Sequence, residues 1–97
     1  MKIHKYELVV VSGEGCVYCE MTKELLNSHK VPHRVVDYKT FPKFKEDKHM
    51  TIPQIYVYDR MVGEYDWREG GYQGLLETDM EGLKSQLDET EEVDIAF

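Results

Sequence analysis

The chain has 97 residues, enough for one hydrophobic core, and 41% of them are hydrophobic, which separates it from disordered sequences. Its formal net charge is −7, from 12 basic and 19 acidic residues, and no arginine-rich helix or basic stripe stands out, so nucleic acid is excluded as an expected partner. No apolar run approaches a membrane span, and residues 1–6 lead straight into a strand-like segment with nothing resembling a signal peptide, so no membrane contact is expected and the cytoplasm is the expected location.

In chain order, "YELVVVS" (6–12) is β-branched and almost continuously apolar, which predicts a strand buried on both faces. Ser12-Gly13-Glu14-Gly15 reads as a flexible turn, followed by a helix from Val17 to about His29. Val17, Met21 and Leu25 fall on one face of it, with Leu26 beside them, and Pro32 prevents easy continuation. "HRVVD" (33–37) predicts a second strand, parallel to the first through a right-handed crossover. A polar segment from Tyr38 to Met50 has room for a short helix near Pro42 to Lys48.

"QIYVY" (54–58) predicts a third strand, Asp59-Arg60 a tight turn, and "MVGEY" (61–65) an antiparallel return. After Gly70-Gly71, Leu76, Met80, Leu83 and Leu87 repeat with the period of a single amphipathic helix to about residue 87. Residues 88–94 then carry five acids in seven positions, which reads as a solvated, frayed tail. The expected division is therefore a domain over 1–87 and an acidic C-terminal tail over 88–97.

Cys16 and Cys19 are the only cysteines, and they stand where the first strand hands over to the first helix. There the sulfur of Cys16 meets unpaired backbone N–H groups and the positive end of the helix dipole, which favour thiolate over thiol. Thiols in a Cys-x-x-Cys pair reach pKa values of roughly 3.5–7.5, against about 8.5 for a free cysteine. Cys19, one turn further on, is close enough to pair with Cys16 and more buried, an asymmetry that suits attack by Cys16 and resolution by Cys19. Structural zinc needs four ligands, and His4, His29, His33 and His49 show no paired spacing, so no metal is expected. A structural disulfide over so short a loop adds little stability. A redox pair in a βαβ context is the favoured reading.

At these residues the chain resembles the glutaredoxin family. "GCVYCEMTKELL" (15–26) is similar to that family's Cys-Pro-Tyr-Cys site and its following helix, "TIPQIYVY" (51–58) to its Thr-Val-Pro-Gln-Ile-Phe-Ile segment, and "GGYQGLL" (70–76) to its Gly-Gly-x-Asp-Asp-Leu-Leu segment. The resemblance spans roughly residues 5 to 87, and Val17-Tyr18 between the cysteines is most like the phage-type dithiol members. It implies an α/β, thioredoxin-like fold: a four-stranded mixed sheet, βαβ then ββα, flanked by helices.

The resemblance also implies Cys16 and Cys19 as the catalytic pair. It places Tyr18, Thr51, Ile52, Pro53, Tyr72 and Gln73 against glutathione, with Pro53 cis and Ile52 offering its main chain as an added strand would. Glutathione is then a co-substrate, no tightly bound cofactor is expected, and the protein is a monomer. Disulfide-containing proteins are its clients, with ribonucleotide reductase as a client implied by the family alone. A carrier recycled by a thioredoxin reductase and a glutathione-ligated [2Fe–2S] carrier are the competing readings.

Several positions depart from the family pattern. Gln73 replaces the usual Asp or Ser, and Gly63-Glu64-Tyr65-Asp66 offers a rival to Gly70-Gly71 as the glutathione-carboxylate segment. Choosing Gly70-Gly71 requires an inserted loop around Tyr65 to Glu69, whose Trp67 either covers the core or lines the groove, with core packing expected. Val17 replaces the proline between the cysteines. Glu14 lies where the family commonly has a lysine and is expected to weaken glutathione binding, with Lys48 and His49 as partial compensation.

Overall fold

The computed structural model describes residues 1–41 and 51–93. The main sheet is formed by β2 (Tyr6–Ser12), β3 (Arg34–Asp37), β4 (Gln54–Asp59) and β5 (Glu64–Arg68), in the order β3-β2-β4-β5. β2 runs parallel to β3 and antiparallel to β4, and β4 is antiparallel to β5. The helices are α1 (Val17–Ser28), α2 (Gly71–Leu76) and α3 (Met80–Leu87). β1 (Lys2–His4) and β6 (Thr90–Glu92) make a separate two-stranded sheet. The expected mixed sheet of four strands, with its βαβ crossover and ββα finish, is present, and the fold is thioredoxin-like.

The continuous apolar run of β2 is explained by burial on both faces. Leu8 and Val10 join Leu26, Ile55, Val57, Leu75, Leu83 and Leu87 in one core, whereas Val9 and Val11 join Phe41 and Tyr56 in the other. Alternate residues of one strand therefore feed two cores, so from Leu8 to Val11 no polar residue interrupts it. The second core is aromatic: Phe41 lies 5.3 Å from Tyr56 and 5.1 Å from Tyr65, ring centre to ring centre.

Four local expectations are corrected. The buried face of α1 is Cys19, Thr22 and Leu26, with Leu25 partly buried against the core as expected; Met21 is half-buried and Val17 is 69% exposed. Cys16 is the N-cap, and the next two residues, Val17 and Tyr18, are both exposed. The β4–β5 turn is longer than Asp59-Arg60. Asp59 Oδ1 accepts the Met61 N–H at 2.8 Å, and Gly63 has φ of +73°, so residues 60–63 form the turn and the strand starts at Glu64. The inserted loop at 65–69 is thus mostly β5. The last helix is two helices, because the Thr78 hydroxyl donates to the Gly74 carbonyl and Asp79 occupies the N-cap of α3. Leu75 is buried in place of Leu76, which is 48% exposed.

The frayed-tail expectation is corrected for its first residues. Lys2, Ile3 and His4 pair with Glu92, Glu91 and Thr90, and the N-terminal ammonium lies 2.9 Å from the Glu92 carboxylate. That ion pair is exposed on both sides and contributes little, but the backbone ladder joins the two ends of the described chain. Removing residues 89–97 should therefore cost about 1–2 kcal/mol and lower Tm on the order of 5–10 °C. A thermal melt of the shortened chain checks this, and an unchanged Tm would show that β1 is held by other contacts. The short helix expected near Pro42 to Lys48 lies outside the described residues.

Candidate active site

The chain turns from β2 into α1 through residues 13–16, and Cys16 is the N-cap of the helix. Its sulfur accepts the Cys19 backbone N–H at 3.1 Å. A helix start leaves such amides without intrahelical partners, so they are free to meet the sulfur. Cys16 and Cys19 form a disulfide, with Cα atoms 5.2 Å apart. Cys16 is half-buried and Cys19 has no exposed surface. The expected asymmetry between the two sulfurs is thus present.

Opposite the disulfide lies the segment that leads into β4. The Ile52–Pro53 bond is cis, and the Ile52 main-chain oxygen is 3.7 Å from Cys16 Sγ. The β2–α1 turn fits closely on this segment: a Cβ on Gly13 would come within 2.8 Å of both Ile52 Cδ1 and the Tyr38 ring. Glycine there allows the loop bearing Cys16 to approach Ile52.

Beside the cysteines runs a cleft of about 400 Å³ that gathers Tyr18, Thr51, Ile52, Pro53, Tyr72 and Gln73 into one lining. These six, far apart in sequence, are the positions set against glutathione by resemblance. The Tyr18 and Tyr72 rings are 6.0 Å apart and join the start of α1 to the start of α2. Gln54, Trp67, Gly70 and Gly71 complete the lining. Gln54 is held by the Tyr56 hydroxyl, which donates to its Oε1 at 2.9 Å.

Trp67 corrects the expectation of core packing: it is 37% exposed and forms a wall of the cleft. It stands on the edge strand β5, three residues before Gly70-Gly71. Gly70 and Gly71 make the corner between β5 and α2, with φ of +88° and +52°. A Cβ on Gly71 would stand 3.1 Å from the Pro53 carbonyl oxygen, so the corner packs directly on the cis segment. The rival Gly63 lies in the β4–β5 turn, at the end of that hairpin away from Gln54 and Pro53.

The described side chains lining the cleft carry no formal charge. Glu14 is not among them. It borders a different depression with Glu20, Lys23 and Asp37, which removes the reason to expect it to repel a ligand in the cleft. Glu14→Lys should change the Michaelis constant for glutathione by less than about two-fold, since screened charges across a surface contribute little. Titrations at low and high salt check this, and a several-fold gain at low salt would return Glu14 to the site. Lys48 and His49 lie outside the described residues. Among the described residues no group of three or more His, Cys, Asp or Glu side chains is placed to hold a metal.

Comparison with known proteins agrees with this geometry. The family model described as Glutaredoxin matches residues 8–62, more than half of the chain. That match covers both cysteines and the cis segment and stops in the β4–β5 turn, before Trp67 and the Gly70-Gly71 corner. No curated protein matches the chain in sequence. Among solved structures, a buckwheat glutaredoxin–glutathione complex superposes with a TM-score of 0.58 at 19% identity, covering 87% of this chain and 78% of that one. At that identity the likeness speaks for the fold.

Proposed function

The chain belongs to the glutaredoxin family, and from that footing we propose that it is a dithiol, glutathione-dependent thiol–disulfide oxidoreductase that reduces protein disulfides and glutathione mixed disulfides. One observation carries the reading: Cys16 caps α1, bonded to Cys19 and 3.7 Å from the Ile52 oxygen, beside a cleft walled by Tyr18, the cis segment and Tyr72.

In the reduced protein the Cys16 thiolate attacks one sulfur of a client disulfide. A bond forms between Cys16 and that sulfur, and the other client sulfur leaves as a thiolate and takes a proton. The Cys19 thiolate then attacks Cys16 Sγ and releases the second client thiol, which leaves the Cys16–Cys19 disulfide. Two glutathione thiolates reverse this. The first opens the disulfide by bonding to Cys16, and the second attacks the glutathione sulfur and frees Cys16. Two electrons pass from two glutathiones to the client, and glutathione disulfide is the product.

The backbone supplies the orientation. The Cys19 N–H that Cys16 accepts supports negative charge on the attacking sulfur. The Ile52 main chain presents an edge to an extended peptide, and Tyr18 and Tyr72 give the flat surfaces that border it. The first intrahelical bond of α2 runs from the Gly74 N–H to the Gly70 carbonyl at 3.1 Å, so the Tyr72 and Gln73 amides precede the ladder and suit a glutathione carboxylate. Client proteins include ribonucleotide reductase by family resemblance, and the phage-type likeness rests on Val17 and Tyr18. Turnover of a glutathionylated peptide with glutathione, glutathione reductase and NADPH tests the proposal. Steady NADPH consumption is expected, and a rate equal to that without protein would overturn it.

A further inference from the structure

At the end of the main sheet away from Cys16, a second cleft of about 240 Å³ brings His4, Glu7, His33, Arg34 and Arg60 together. In a chain of net charge −7, two of the three arginines and two of the four histidines border this one space. Disulfide exchange uses none of them.

The hydrogen bonds define what the cleft offers. Glu7 lies between the guanidiniums: Arg34 Nε donates to its Oε1, and Arg60 Nη2 donates to its Oε2 at 2.8 Å. Arg60 Nη1 donates to the His4 carbonyl at 2.9 Å, and Arg34 also interacts with Tyr65. Each guanidinium has five N–H groups, so donors remain after these bonds. Two guanidiniums against one carboxylate leave one unit of positive charge in the cleft.

The histidines contribute the opposite polarity of hydrogen bonding. His4 Nδ1 lies 3.1 Å from the Leu87 carbonyl, and His33 Nδ1 lies 2.9 Å from the Val31 carbonyl. A carbonyl only accepts, so Nδ1 carries the proton in both rings, and in a neutral ring Nε2 is left as an acceptor. The two guanidiniums and the two imidazoles thus border one positively charged space.

We propose that this cleft binds a phosphate group, as the inorganic ion or as a phosphomonoester, at a site separate from the cysteines. Hydrogen phosphate has oxygens that accept from the guanidinium forks and one O–H that can donate to an imidazole. Sulfate matches the forks and has no proton to give. The volume is below the roughly 300–1,000 Å³ of pockets for larger ligands, so the phosphate group itself is what the cleft encloses.

The test is a nuclear magnetic resonance titration of the full chain with inorganic phosphate, a nucleoside monophosphate and sulfate at matched ionic strength. Saturable shifts at His4 and His33 are expected with both phosphates and weaker ones with sulfate. Equal binding of the two phosphates would make the free ion the sufficient ligand, and tighter binding of the nucleotide would make it the phosphomonoester; both support the site. Arg34→Gln and Arg60→Gln should each weaken binding about ten-fold, the size of one hydrogen bond to a charged group. Glu7→Gln removes the competing carboxylate and should tighten binding several-fold, a direction that loss of structure does not produce. Disulfide exchange should be unchanged in all three. Non-saturating shifts that sulfate reproduces, or weaker binding in Glu7→Gln, would overturn the proposal.

Discussion

Cys16→Ser is expected to bring disulfide reduction down to the uncatalysed rate, whereas Cys19→Ser is expected to stop the protein at a mixed disulfide with its client. Both cysteines are needed for a full cycle, but their surroundings assign them different steps. Cys16 is at the N-cap, half-buried, with a backbone N–H on its sulfur and the Ile52 main chain alongside. Cys19 is fully buried within α1, so a client sulfur cannot reach it in line. A serine hydroxyl at 16 is not ionised near neutral pH and cannot attack. A serine at 19 leaves the attack intact and removes the resolving step, so glutathione must release the client, and turnover of small glutathionylated substrates persists. Mass spectrometry of each variant after mixing with a disulfide client separates the cases. Faster alkylation of Cys19 than of Cys16 in the reduced protein would reverse the assignment.

Gly74→Ala is expected to lose on the order of 3 kcal/mol or more of stability and, at temperatures where the variant stays folded, most of its glutathione-dependent activity. A Cβ at this position would stand 2.1 Å from the Glu69 carbonyl oxygen. The obstacle is backbone, so no side-chain rotation relieves it, and such overpacking lies at the upper end of its usual cost. Relief requires the β5–α2 corner to open. That corner carries Gly70, Gly71, Tyr72 and Gln73, which form one side of the cleft, and its Gly71 packs on the Pro53 carbonyl. Denaturant unfolding and a glutathione titration of the same variant measure the two losses. A near-native stability would mean that the corner adjusts at little cost.

The difference between these two positions shows what was legible in the sequence. Cys16, Cys19, Pro53 and the tyrosine between the cysteines stand in short local patterns, where spacing alone places a residue at a helix start or before a strand. β2 was readable because four consecutive buried residues, Leu8 to Val11, need no partner to reveal them. The β1–β6 sheet was not, because Lys2, His4, Thr90 and Glu92 carry no apolar alternation and pair only across the length of the chain. β5 was displaced in the reading because Met61 and Val62 look like strand residues, yet they are exposed in a turn set by Asp59 and Gly63. Trp67 had two readings, core cover or groove lining, and core packing was preferred; a large aromatic on an edge strand suits the wall of a groove. The single helix expected after Gly71 was split by hydrogen bonds from Thr78, which a hydrophobic repeat does not record.

Glutathione itself is expected to open and restore the Cys16–Cys19 pair. The most direct measurement mixes the oxidised protein with reduced glutathione in one arm, and with NADPH and a thioredoxin reductase in the other. Each arm is quenched with acid over time and weighed intact by mass spectrometry. A transient adduct of one glutathione on Cys16, followed by the dithiol, is expected in the first arm, and slow or no reduction in the second. Rapid reduction by the reductase, with no glutathione adduct and an intact disulfide in the glutathione arm, would contradict it.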